Sequence, residues 1–172
     1  MNADDTFIAI DNDKQGVPVT IYWAEKIDGS IVVPFFLRGL AQLIEQGFSG
    51  SRLFGTNQSK AVYAVINNDT VVGSIVYETQ QDIYKTAWII YTGVDDNYRR
   101  RGIYMILHRH FENVLKNEGT RRSASNIHSD NLVVQAGCRA YGAKPALLDE
   151  AARKQNLPYI RMEKKVPLLY RE

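Results

Sequence analysis

Apolar residues alternate with polar ones at Phe7 and Ala9, and again at Val17, Val19, Ile21 and Trp23, on either side of the turn-rich run Asp11-Asn-Asp-Lys-Gln-Gly16. A period of two predicts strand, turn, strand. The period then changes. Phe36, Leu40, Leu43 and Ile44 fall on one helical stripe that opens near Pro34 and ends at Gly47, and the chain from Ser49 to Lys60 is polar and broken by glycine. Runs rich in β-branched residues return at Ala61 to Ile66 and Val71 to Tyr77, around the turn Asn67-Asn-Asp69, which is a hairpin signal. A further strand starts at Thr86 and feeds into Val94.

The longest helical pattern follows. Ile103, Ile106, Leu107, Phe111, Val114 and Leu115 keep the spacing of one buried stripe, and Gly119 stops it with Lys116 in the last turn. Ser123 to Ile127 then predicts a strand. Ser129 or Asp130 is placed to cap a helix carrying Leu132, Val133, Ala136 and Ala140 and ending at Gly142; Gly137 inside it costs about 1 kcal/mol relative to alanine. Leu147 to Gln155 predicts a short helix before Pro158, Tyr159 to Lys165 a closing strand, and 167–172 a tail. The elements predict an α/β chain with a mixed, mostly antiparallel sheet of six to seven strands and about four helices. One domain, 1–172, divides into N-terminal strands, first helix and loop (1–60), hairpin, fourth strand and long helix (61–118), C-terminal strands and helix (119–166), and tail (167–172).

Composition narrows the functional classes. With 45% hydrophobic and 23% charged residues among 172, the chain has the balance of an ordinary globular domain. No apolar run reaches the length of a membrane span and the start Met1-Asn-Ala-Asp-Asp is acidic, so a cytoplasmic location is expected, without membrane contact. The net charge of +2 is too small to imply nucleic acid. Cys138, the single cysteine, excludes an internal disulfide. No metal is expected, because His108 and His110 are two apart on a helix and face different ways; His110 continues the apolar stripe as a packing residue.

The placement of charge says more than its sum. Arg99, Arg100 and Arg101 crowd the start of the long helix, where each cation costs about 0.3–1 kcal/mol against the helix dipole. A bound anion would balance them. Free N–H groups in a first helical turn, the bare backbone of Gly102 and clustered guanidiniums together make a phosphate cradle. The alternative is three solvated side chains in a surface loop.

These residues carry a resemblance. Arg99-Arg-Arg-Gly102 resembles the [Q/R]-x-x-G-x-[G/A] signature of the GNAT superfamily of N-acetyltransferases, and the context of a strand ending in Val94 followed by Tyr98-Arg-Arg-Arg-Gly-Ile103 resembles the family's V-x-P-x-Y-R-G-R-G-I-G run. Tyr104 departs from the pattern, standing where the family prefers Gly or Ala; a phenol there would narrow the approach to the phosphates. A second segment is similar to N-x-x-A-x-x-L-Y-x-x-x-G-[F/A]: Asn131 and Gly142 match outright, with Val134, Gly137, Cys138 and Ala143 at its spacing. The resemblance spans about Lys60 to Val166.

It implies a GNAT-like fold and acetyl-CoA as cosubstrate, with the pyrophosphate at Arg99, Arg100, Arg101, Gly102, Ile103 and Tyr104, the pantetheine arm along the backbone at Val94, and Asn131 among the cofactor contacts. Ser49 to Lys60 would shape the acceptor pocket. For the proton transfers, the strand from Thr86 to Val94 has no carboxylate, so Glu78 is the candidate base. Cys138, at the position of the family's usual Tyr, and Tyr141 on a neighbouring part of the same helix face are candidate acids. The implied reaction is direct acetyl transfer to a primary amine of a small molecule or peptide, by a protein able to form a homodimer. Two other readings compete: a GNAT domain that senses acyl-CoA without catalysis, and a nucleic-acid binder using the same arginines.

Overall fold

The computed structural model describes residues 5–26, 59–67, 70–146 and 159–167. Eight strands form one sheet: β1 (Thr6–Asn12), β2 (Pro18–Ala24), β3 (Lys60–Ile66), β4 (Thr70–Gln80), β5 (Thr86–Val94), β6 (Arg122–His128), β7 (Lys144–Pro145) and β8 (Tyr159–Lys165). Their order is β1-β2-β3-β4-β5-β6-β8-β7, antiparallel throughout except for β5 and β6, which run parallel. The crossover between those two is helix α1 (Ile103–Asn117). Helix α2 (Leu132–Tyr141) follows β6.

The mixed sheet is as expected, but it has eight strands rather than six or seven. The extra one, β7, is two residues paired with Glu163 and Met162 of β8. So short a bridge, one of its residues a proline, has no periodicity to read. Two α-helices lie among the described residues; those expected at Pro34–Gly47 and Leu147–Gln155 fall outside them, as do the loop preceding Ser59 and the tail after Pro167. No described helix is long and apolar enough to cross a membrane.

The stripe on α1 is buried as its spacing requires. Ile103, Ile106, Leu107, Phe111 and Leu115 pack on Val19, Ile21, Val62, Ala64, Ile75 and Tyr77, each large apolar side chain contributing about 1.5–3 kcal/mol of burial. Gly73 lets the helix come close: a Cβ there would lie 3.0 Å from Leu107 Cδ1 and 3.0 Å from Gly93 O. The helix ends as expected, with Gly119 left-handed at φ 69°. The opposite face of the sheet carries Ala61, Tyr63, Val65 and Val76, with Ile90 and Tyr91 against them.

Helix α2 differs from its expected form in two ways. Its cap is Asn131, whose Oδ1 accepts from Val134 N at 3.2 Å, not Ser129 or Asp130. Its expected apolar stripe faces outward: Leu132 and Val133 are 68% and 84% exposed. The buried face is Gln135 and Cys138, because the Gln135 amide donates to the carbonyls of Ser129 (2.8 Å) and His128 and so satisfies the preceding turn. A polar residue took a core position that hydrophobic spacing had assigned to its neighbours.

Candidate active site

Between β5 and β6 only three residue pairs are made, Thr86 with Arg122, Ala87 with Ser123 and Trp88 with Ala124. Beyond them the strands part. β6 stays with β8 to His128, while β5 stays with β4 to Val94. From Ile89 to Val94, therefore, β5 makes no strand pairing with β6 among the described residues. The cause is local: Val76 opposes Tyr91 and Tyr77 opposes Ile89, leaving Ile90 as a bulge at the point where the strands separate. A bulge bends its strand and increases the twist, which turns the end of β5 away from β6.

That stretch of β5 leads to the start of α1. After the single-turn helix Asp96–Tyr98, Arg100 is left-handed at φ 63° and Gly102, the helix cap, at φ 85°. Among the described residues the N–H groups of Arg100, Arg101, Gly102, Ile103 and Tyr104 donate to nothing, while Gly102 O accepts from Met105 and Ile106. Five donors without a partner among the described residues thus stand at a helix N-terminus, where the dipole is positive.

The three guanidiniums have separate fates. Arg99 pairs with exposed Asp96 at 2.6 Å, and Arg100 makes no ion pair among the described residues. Arg101 turns away from the cradle. Its Nε donates to Asp13 Oδ2 at 2.5 Å and its plane stacks on Tyr98, so it contributes its backbone N–H rather than its charge. Asp13 is a site residue that the sequence did not disclose. Burial would raise its pKa, but N–H groups of Val17 and Gln15 and the Arg101 guanidinium outweigh that and hold the carboxyl below its ordinary range. Lys14, beside it, donates its N–H to Arg101 O and lays its side chain along Gly102. No local pattern signals a contact made across 88 residues.

Tyr104 does not narrow the cradle. Its ring leans over α2, packs tilted at 47° against His108 with centroids 4.3 Å apart, and brings Oη to 3.7 Å from Cys138 Sγ. The space it uses is that of the absent side chain at Gly137, where a Cβ would lie 3.1 Å from Tyr104 Cζ. Burial, and then the neighbouring thiol, raise the phenol's pKa. Cys138 is itself buried, and burial pushes its thiol upward.

Cys138 and Tyr141 come together with His108, Ile89 and Ser125 around a small hollow where the strands part. Tyr141 packs tilted against His108, centroids 4.4 Å apart, its hydroxyl kept protonated by burial and by the Glu112 carboxylate. His108, not His110, is the packed histidine: neither ring nitrogen has a partner among the described residues, and burial with the charge of Lys164 pushes its pKa down to about 3. His110 pairs with Asp11 on β1 instead.

Glu78 lies apart from these groups. It opposes Trp88, on the other face of the sheet from Tyr77, and its Oε1 accepts from Ser59 Oγ at 2.8 Å. Asn131 spends one side-chain oxygen on its helix cap.

The family described as the acetyltransferase (GNAT) family matches residues 34–141, more than half of the chain. The chain belongs to the GNAT family. Solved structures agree on the fold. The GNAT domain of S. lividans PAT superposes with a TM-score of 0.65 at 14% identity, covering 96% of this chain and 99% of that one. An IAA acetyltransferase from Bacillus cereus gives 0.61 at 18% identity, covering 86% and 99%. A GNAT family acetyltransferase from Elizabethkingia anophelis, solved with acetyl-CoA bound, gives 0.60 at 17%, covering 86% and 97%. No curated protein matches the sequence significantly. The GNAT core thus extends upstream of Lys60, where the sequence resemblance began.

Proposed function

We propose that this chain moves an acetyl group from acetyl-CoA to a primary amine by direct transfer. The observation that carries the reading is the continuity of two features: five N–H groups at the start of α1 with no partner among the described residues, and the stretch of β5 from Val94 to Ile89 that has parted from β6. The first suits a diphosphate and the second an extended amide-bearing arm, which adds to the sheet as a strand does. Both are backbone features, so they survive the loss of sequence identity.

In this proposal Arg99 and Arg100 neutralise the phosphates from the rim, while Gly102 keeps the backbone within reach. Arg101, fixed on Asp13, orients the loop. Acetyl-CoA supplies an activated thioester; a β5 N–H facing the opening polarises its carbonyl. The two faces of the sheet divide the proton work. Glu78, whose carboxylate accepts from Ser59 Oγ, is proposed to take the amine proton, directly or through water. The phenols and the thiol lie on the α1 and α2 side.

Release of free coenzyme A from acetyl-CoA, followed with and without a panel of polyamines, amino acids and peptides, tests the proposal. Amine-dependent release and an acetylated amine by mass spectrometry support it. Binding of acetyl-CoA with no amine-dependent release would leave the sensing role, which the buried, protonated Cys138 at the family's tyrosine position favours.

A further inference from the structure

The proposed transfer needs a proton for the departing sulfur, and three side chains near the parting of β5 and β6 could hold one. Cys138 is 6% exposed and its thiol is covered by Tyr104 on one side. Tyr141 lies beyond His108, beneath the ammonium of Lys164 at 3.6 Å from its ring. Tyr104 is only partly buried, and its hydroxyl is the group that reaches α2 from the helix bearing the cradle.

Three positions are linked around it. Where the family pattern places a small residue on the cradle helix, a Leu on the later helix and a Tyr next to that Leu, this chain has Tyr104, Gly137 and Cys138. In space these changes compensate one another. The Gly137 position is filled by the Tyr104 ring, 3.1–3.3 Å from where a Cβ would stand, and the phenol ends 3.7 Å from the Cys138 sulfur. Ser125, the first β6 residue past the last β5 pair, lines the hollow beside Cys138. A phenol has been supplied to the same locality from the opposite helix.

We infer that Tyr104 is the general acid of the transfer, in place of a residue on α2. The inference rests on the function proposed above. Tyr104 Oη gives its proton to the sulfur as the carbon–sulfur bond breaks and the carbon–nitrogen bond forms, the sulfur keeping the bonding pair. The phenolate then regains a proton from the one the amine nitrogen sheds, through solvent. Loss of a positioned acid slows such a step by about 10²–10⁴-fold.

Variants at Tyr104 and Cys138, followed by binding, turnover and thiol titration, test this. Tyr104→Phe keeps the ring over Gly137, so it is expected to stay folded and bind acetyl-CoA as the unaltered protein does by calorimetry. Its kcat is expected to fall at least tenfold with KM within about twofold. The Tyr104→Ala, Cys138→Tyr double variant returns a phenol from α2 and is expected to recover much of the lost rate relative to Tyr104→Ala alone. As a readout independent of turnover, ultraviolet titration of bound coenzyme A should show its thiol ionising at lower pH in the unaltered protein than in Tyr104→Phe, because the phenol donates to the thiolate. Unchanged kcat in Tyr104→Phe, or a bound thiol titrating identically in both, overturns the inference while leaving the transferase proposal standing. Failure of the unaltered protein to bind coenzyme A overturns both.

Discussion

The guanidinium of Arg101 is bonded to the carboxylate of Asp13, with Nε 2.5 Å from Oδ2. The pair fastens the turn between β1 and β2 to the entrance of α1, and the backbone repeats the link through Lys14 N and Arg101 O at 2.9 Å. One of three arginines that a charge count assigns to an anion is thus a structural tie.

Asp13→Ala removes the acceptor for Gln15 N, Val17 N and Arg101 together. Urea unfolding should show a loss of about 2–3 kcal/mol, the scale of hydrogen bonds to a charged group. Acetyl-CoA affinity should fall as well, and Asp13→Asn, which keeps an acceptor for the two N–H groups, should recover part of the stability. The folded pKa lies below the unfolded value, so this contribution is present above the ordinary carboxylate range and vanishes as pH falls through the lowered one.

Tyr104 and Gly137 should behave as a coupled pair. Gly137→Leu would drive a side chain into a ring already 3.1 Å from the Cβ position, at a cost of about 1–3 kcal/mol. Adding Tyr104→Ala empties that space, so the double variant should be more stable than the sum of the single changes implies. A double-mutant cycle by thermal or urea unfolding measures the coupling directly.

His108 gives the fold an acid sensitivity that carboxylates do not explain. Tyr104 and Tyr141 pack tilted against its ring and Lys164 adds positive charge, so burial and that charge place its folded pKa at about 3 against an ordinary 6.5. A lowered histidine pKa means the unfolded chain binds more protons: stability is fully present above the unfolded pKa and declines as pH falls toward the folded one, by at most about 1.4 kcal/mol per unit. Unfolding free energies should drop between roughly pH 6 and 4.5 in the unaltered protein, and His108→Phe should flatten that slope.

Much of this architecture could be read from spacing alone. The β3–β4 hairpin, the stripe and stop of α1, and the closing strand Tyr159–Lys165 are determined by local periodicity and glycine placement, and each appears where expected. What could not be read depends on contacts distant in sequence. The outward turn of Leu132 and Val133 follows from Gln135 capping the preceding carbonyls, the choice of His108 over His110 as the buried ring from two tyrosines on different helices, and the use of Arg101 from a turn 88 residues away. The cluster of backbone donors at the start of α1 lies within the six consecutive residues, Arg99 to Tyr104, that the sequence singled out. The parting of β5 from β6 leaves no mark on side-chain identity, since it is a bulge and a missing strand pairing; only the family resemblance pointed to the backbone at Val94.

Arg100 combines a strained backbone with an unpaired charge at the cradle rim. Its φ of 63° suits glycine better than arginine, so relief of about 1–2 kcal/mol of left-handed strain, set against about 0.5–1 kcal/mol of added chain entropy, should leave Arg100→Gly as stable as the unaltered protein or slightly more so. The same change should weaken acetyl-CoA binding severalfold and make the remaining affinity less dependent on salt. Calorimetric titrations at two ionic strengths would show both effects, whereas equal affinity in the two proteins would place the phosphates elsewhere.

Amide hydrogen exchange with and without acetyl-CoA tests the central claim most directly, because both proposed binding elements are made of backbone N–H groups. The account predicts that exchange slows together in two segments, Arg100 to Tyr104 and the stretch of β5 from Ile89 to Val94, while β1 and β2 are little changed. Protection confined to the arginine loop, or none in either segment at saturating acetyl-CoA, would contradict it.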